Sequence, residues 1–336
     1  MRGRVRALGL ASMALASASG CAHQQATSSP DLVFDATAVA DILLWARSDD
    51  LRLPTSWRTA RAYELTRAWA EWSGLPDPDL DVLQVLTQMG ANKATRGAHP
   101  LERLEAFLTA LEARRRSFIA ESTPILRAYL PSNTPIRGRV LFAVFIPPFA
   151  FAWGDGSVVI NLSAAYFDFN DDKVFNLLIH ELFHNGFGLH QRGASPMLAK
   201  DGAELIENIL WQTQNEGIAT YVAYRARSPG LFVEDYALIE DEVEVGQLFE
   251  RTRALLDDAT RAGARDLDAL KERIFTLGSR DRAFYVVGAV MARQIETQHG
   301  RAALVETIVQ GPRSFFRAYQ GTRPRHALVA PGPIAQ

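Results

Sequence analysis

Apolar and polar positions along the chain follow two periods, and the change from one to the other marks its organisation. From Asp31 to about Tyr129 the period is helical. In "DATAVADILLWARS", Val39, Ile42, Leu43 and Ala46 fall on one face, the spacing of an amphipathic helix. "PTSWRTARAYELTRAWAEWSG" opens on Pro and Ser/Thr signals and stops at Gly74, as a bounded helix does. "DPDLDVLQVLTQMG" and "HPLERLEAFLTALEARRRSFIAES" read the same way, with Arg114 to Arg116 on a solvated face. Around Pro131 to Pro135 the texture changes. "RGRVLFAVFIPP" is β-branched and aromatic with a Pro stop, and "GDGSVVINLS" follows a turn signal. Both predict strands, paired as a small antiparallel sheet. Helical spacing returns over Asp171 to about Asn185, over Asp201 to Arg227, and in several segments between Glu234 and Tyr319. The expected class is α+β, predominantly α-helical. It divides into an N-terminal helical region over 31–135, a second region over 136–320, and a loose, Pro- and Arg-containing tail over 321–336.

The first thirty residues stand apart. Arg2, Arg4 and Arg6 precede the small, apolar "ALGLASMALASASG", and Cys21, the single cysteine of the chain, follows. A basic start, a short apolar stretch and small residues before a break describe an export signal over 1–20. The pattern resembles a bacterial lipoprotein signal, with Ala18 where Leu is usual. That resemblance implies a lipid on Cys21 and a membrane-anchored protein facing the periplasm or cell surface. Residues 21–30, ending "AHQQATSSP", read as a tether. With one cysteine, no disulfide within the chain contributes to stability. The 36 basic residues against 38 acidic ones give no electrostatic case for nucleic acid. No apolar run is long enough to cross a bilayer.

Candidate chemistry is concentrated in "HELFHNGFGLH", His180 to His190. The preceding "NDDKVFNLLI" supplies a helix start, with Asn170 or Asp171 as cap and Asp171 and Asp172 at the positive end of the dipole. Gly186 is the expected stop. Phe175, Leu178, Ile179 and Leu182 make the buried face. His180 and His184 are four apart and project from one side of the helix, where two imidazoles can grip one zinc ion. In such an HExxH arrangement Glu181 takes a proton from the water that the metal activates.

A catalytic zinc needs a third protein ligand. His190 occupies the position of the third His in the metzincin pattern, but Phe187 stands where that pattern has a turn glycine, and a left-handed Phe is costly. The alternative is a carboxylate on the next helix, "DGAELIENILWQTQNEGIATYVAYRAR". Its candidates are Glu204, Glu207 and Glu216. The first two flank the helix start, where the dipole alone favours acids. Glu216 sits in "NEGIATY", where Gly217 and Ala219 would let this helix approach the metal helix closely.

HELFH followed by NEGIA resembles the gluzincins, zinc peptidases with two His and one Glu. It is similar also to bacterial zinc-dependent peptidases and, more distantly, to zinc aminopeptidases, over roughly Val140 to Tyr319. The resemblance implies a zincin-like catalytic domain, one Zn2+ per chain on His180, His184 and Glu216, and Glu181 as general base. "FYVVGAVMARQIETQHG" looks like the family's Tyr-x-x-Gly segment, which implies that Tyr285 steadies the oxyanion. Val287 replaces the Lys common there, the gap from His184 to Glu216 is longer, and the Gly-rich exopeptidase motif is missing. The expected function is an exported zinc metallopeptidase acting on peptides or proteins. The alternatives are a zinc hydrolase of other amides or esters, and a zinc-binding lipoprotein without catalysis. Asn185 and Asn215 are candidates to orient the ligands, and Arg282 to bind a substrate carboxylate or to form a salt bridge. "SVVINLS" is a strand that either pairs with an extended peptide or has both edges covered.

Overall fold

The computed structural model describes residues 31–48, 56, 59–73, 99–144, 146, 149–164, 167–193, 195–262 and 266–332. The expected export signal and tether, and the helix expected in "DPDLDVLQVLTQMG", lie outside the described residues. In chain order the elements are β1 (Asp31–Asp35), α1 (Thr37–Arg47), α2 (Arg61–Trp72), α3 (His99–Tyr129), β2 (Arg137–Ala143), β3 (Ala150–Ala152) and β4 (Ser157–Asn161). Then follow α4 (Asp171–Phe187), α5 (Gly202–Ala226), α6 (Glu234–Glu240), α7 (Glu242–Arg261), α8 (Leu267–Phe275), a π turn (Thr276–Arg280), α9 (Ala283–His299), α10 (Arg301–Gln310) and α11 (Pro312–Gly321). The class is α+β and predominantly helical, as the periodicity predicts.

The sheet is mixed, not antiparallel throughout. Its order is β1-β2-β4-β3. β1 and β4 both run parallel to β2, and only β3 and β4 form an antiparallel pair. The reason lies between the two strands read from sequence. "FAFAW" supplies the extra strand β3, so the chain passes beyond β2, turns at Gly156 and returns as β4 in the direction of β2. Parallel strands have both faces covered and read as apolar runs. All five residues of β4 and all three of β3 are buried. β4 is paired on both edges, so "SVVINLS" does not offer a free edge to a peptide. β1 is a second departure: "DLVFD" is strand, not helix, with Leu32 buried and Phe34 against Phe118 and Phe142.

Side-chain ties fix the helices around the sheet. Val39, Ile42 and Leu43 of α1 are buried, as their spacing predicts. Trp69 of α2 stacks on Phe151 of β3, and Tyr63 donates to the Val144 carbonyl. Arg114, on the partly solvated face expected of it, also ties two helices together. It bridges Asp171 (2.8 Å) and Asp172 (2.6 Å) at the start of α4 and lies over the Phe175 ring. Segment 322–332, expected to be loose, packs back: Leu328 is fully buried, His326 stacks on Phe249, and Tyr319 donates to the His326 carbonyl.

At the centre lies α5, buried on all sides from Leu205 to Val222 except at Glu207. A helix apolar all round belongs inside a large core, yet this one also carries Asn208, Gln212, Thr213, Gln214, Asn215, Glu216 and Thr220 there. Its tightest neighbour is α9. A Cβ on Gly217 would overlap the backbone of Gly288, and a Cβ on Gly288 would overlap the Thr213 carbonyl. The small residue beside Glu216 therefore serves α9, and not the metal helix as the sequence suggested. Gly217→Ala and Gly288→Ala should each destabilise the fold by about 1–3 kcal/mol or more through overpacking. Urea titration would show this as a lower midpoint. A midpoint equal to that of wild type would mean that the two helices can move apart.

Candidate metal centre

Helix α4 begins as read: the Asn170 side chain accepts from the Lys173 amide. It does not stop at Gly186. It runs on to Phe187, which is helical and fully buried, and Gly188 caps it in a right-handed conformation. Gly186 packs against Leu130 instead of turning the chain.

His180 and His184 project together from α4, with ring centroids 4.6 Å apart and planes nearly perpendicular. Glu216 reaches them from α5. His180 Nε2 and His184 Nε2 are 3.0 Å apart, and each lies 3.3 Å from Glu216 Oε2. All three residues are buried, at 5%, 2% and 3% exposure. Donors held about 2.0–2.1 Å from a tetrahedral zinc stand about 3.3–3.4 Å apart. The three atoms are thus spaced as one face of such a tetrahedron. The second nitrogen of His184, Nδ1, lies 2.9 Å from Asn215 Oδ1. An amide oxygen can only accept, so Nδ1 carries the hydrogen and Nε2 presents a lone pair to the centre.

The electrostatics suit a cation. Burial would raise the Glu216 carboxyl, but His184 and His180 outweigh it and push it down to about 2. It is an ionised carboxylate in the protein interior. Burial pushes His180 down to about 4, so it is a neutral donor. Burial acts the same way on His184, but the Glu216 carboxylate outweighs it and raises this residue. The two imidazoles move in opposite directions because burial dominates at His180 and the Glu216 carboxylate dominates at His184. A buried carboxylate facing two imidazole nitrogens lacks a full counter-charge, and a divalent metal supplies one.

Around this group the other sequence candidates separate. Glu181 is wholly buried beside the first ligand. Tyr285 on α9 lies parallel to His180, 11° between planes and 5.9 Å between centroids. Burial and the neighbouring Glu216 carboxylate raise its phenol well above the usual range, so it stays a hydrogen-bond donor. Asn215 orients His184, while Asn185 donates to the Gly156 carbonyl at the β3–β4 turn. Glu204 holds the Lys200 amide and Glu207 pairs with Arg313, both on exposed parts of α5. His190 is bonded to Thr134 Oγ1 at 2.8 Å and takes no part in the group. Arg282 forms its salt bridge with Asp235, and the pair is largely buried. Asp235, in "VEDYALIE", carried no signal in the sequence. An open cleft of about 100 Å³ reaches His180, lined also by Phe149, Leu177, Thr220, Val233 and Arg282.

The family described as "Putative zinc dependent peptidase (DUF5700)" matches residues 86–322, which include every element of this centre. The chain belongs to this family. Zinc is accordingly its cofactor, and His180, His184 and Glu216 are the residues among those described that can hold it. No curated protein and no solved structure is significantly similar to the chain.

Removing the group that orients a ligand typically costs 10–100-fold in metal affinity. Asn215→Ala should therefore weaken zinc binding by about that factor, read by competition with a chromophoric chelator. Unchanged affinity would show that the Asn215–His184 contact does not set the tautomer.

Proposed function

We propose that the chain is a zinc metallopeptidase that uses Glu181 as general base and Tyr285 as oxyanion donor. The observation that carries this reading is the buried triangle of two Nε2 atoms and one carboxylate oxygen, with a second acid, Glu181, wholly buried next to it. A metal site that only binds has no need of that acid.

Zinc held on the triangle would supply a Lewis acid that makes water nucleophilic near neutral pH. The chain's own residues do the rest. Glu181 accepts the proton of the attacking water and returns it to the leaving amine as the C–N bond breaks. The Tyr285 hydroxyl donates to the carbonyl oxygen as negative charge develops on it. Asn215 keeps His184 in the ligating tautomer. The His–His–Glu set supports the gluzincin arrangement over the one with three histidines.

The reading divides cleanly in one experiment. Zinc content and cleavage of a quenched-fluorescent peptide library are measured for wild type, Glu181→Gln, Glu216→Ala and His190→Ala. Wild type and His190→Ala should hold about one zinc per chain and cleave. Glu216→Ala should lose the metal. Glu181→Gln should keep the metal and lose at least about 100-fold in rate, the scale of general base catalysis. Cleavage by Glu181→Gln at the wild-type rate would sink the proposed mechanism.

Export remains part of the proposal, with a lipid on Cys21 as anchor. A cell expressing the full chain should incorporate labelled fatty acid into it, and Cys21→Ser should abolish the label. Label retained in Cys21→Ser would refute the anchor.

A further inference from the structure

The residue preceding α9 is unusual. Arg282 has φ 60° and ψ 22°, the left-handed region, two residues beyond the end of the π turn. An arginine gains nothing there by itself. Such strain persists where the surroundings over-determine it, and π turns often accompany functional sites. Here the surroundings are specific. Asp235 on α6 holds the guanidinium with two parallel bonds, Nε to Oδ1 at 2.9 Å and Nη2 to Oδ2 at 2.7 Å. Both side chains are largely buried, at 15% and 13% exposure. The guanidinium carbon lies 3.2 Å from the centre of the Tyr285 ring. Tyr285 in turn lies parallel to the ligand His180. Carboxylate, guanidinium, phenol and imidazole thus form a continuous run from α6 to the metal group.

We propose that Arg282 is a positioning residue, which Asp235 holds over the Tyr285 ring so that the phenol is fixed beside His180. The inference rests on the reading of His180 as ligand and Tyr285 as donor. A purely structural ion pair is the competing account, and it explains less. Burying two charges costs about as much as their attraction returns, so a well-packed apolar pair would hold α6 to α9 equally well. What an apolar pair cannot supply is a rigid planar cation on the face of a tyrosine. The strained backbone of Arg282 puts the guanidinium there. The position three residues before Tyr285, on the same helix end, leaves the ring little freedom to rotate away. The contact also differs from a substrate-binding role, since the fork of the guanidinium is already occupied by Asp235.

The distinction is between charge and plane. Lys at 282 keeps the charge and loses the bidentate fork and the flat surface. The variants Arg282→Lys, Asp235→Asn, Tyr285→Phe and the double variant Arg282→Lys/Tyr285→Phe are prepared as full chains and loaded with zinc or cobalt. The probe is the peptide best cleaved in the library by wild type. Arg282→Lys and Asp235→Asn should keep one metal per chain, lower kcat at least 10-fold and change KM less than about 3-fold. The double variant should be no slower than Tyr285→Phe alone, because residues that act through one another are not additive. The visible spectrum of the cobalt form should change in Arg282→Lys, since His180 loses its fixed neighbour. Should Arg282→Lys fail to fold, Asp235→Asn tests the same contact.

A wild-type kcat in both Arg282→Lys and Asp235→Asn overturns the proposal. So does a double variant whose loss is the product of the two single losses. If wild type takes up cobalt but cleaves no peptide, the peptidase reading fails separately. An unchanged cobalt spectrum in Arg282→Lys then overturns the positioning role, and a changed one supports it.

Discussion

The contact on which the site depends is between two backbones. Gly217 of α5 and Gly288 of α9 meet with no room for a single methyl group on either side. Van der Waals contact of main chain with main chain sets the distance between two helices more rigidly than interdigitated side chains, which can change rotamer. Each glycine sits close in sequence to a site residue: Glu216 immediately precedes Gly217, and Tyr285 lies almost one turn before Gly288. The contact therefore fixes the metal carboxylate and the phenol relative to each other. α4 then needs only to lie against α5, with Asn215 bound to His184, for the group to be complete.

The second constraint is the burial of charge. Glu216 is ionised at 3% exposure, in a helix otherwise packed into the core. An isolated carboxylate in such a place would be strongly unfavourable. Two imidazoles compensate for it in part, each with its Nε2 3.3 Å from the carboxylate oxygen, the separation of donors that share a tetrahedral metal. The same low-dielectric surroundings strengthen every interaction at the site, including those of Glu181 and Tyr285.

What the sequence revealed follows from the range of each interaction. The metal helix was legible because its signals are local: a cap at Asn170, acids in the first turn, and two histidines four apart. Glu216 was legible because it lies away from the helix start, where the dipole alone accounts for Glu204 and Glu207, and beside the small residues Gly217 and Ala219. The partner of Gly217 was not, since a glycine shows that something comes close and not what does. The sheet order was hidden for a related reason: "FAFAW" is only three residues of strand, too few to show a period, yet it reverses the direction in which β4 must run. Arg114, Asp235 and Arg282 form ion pairs across 47 to 58 residues of sequence, and nothing near them in the chain announces the partner. The docking of segment 322–332 likewise depends on Phe249 and Arg253, more than seventy residues earlier.

The choice between Glu216 and His190 shows how continuity of a helix decides chemistry. To bring a third histidine from the same segment onto the metal, the chain must reverse sharply just after His184, which requires a left-handed residue at position 187. Phe187 instead continues the helix and is buried in the core against Trp211 and Phe183. Gly186 is kept free of a side chain by Leu130 rather than by any turn. The helix then ends through Gly188, whose amide returns to the His184 carbonyl at 2.8 Å. This turn carries His190 toward Thr134, at the start of the segment leading into β2. The third donor must then come from another element, and the helix most closely packed in the interior, α5, presents one acid to the centre. Phe187, a core residue at the position where a turn was needed, thus keeps His190 away from His180 and His184, and the acid that joins them in a group able to hold a metal is Glu216.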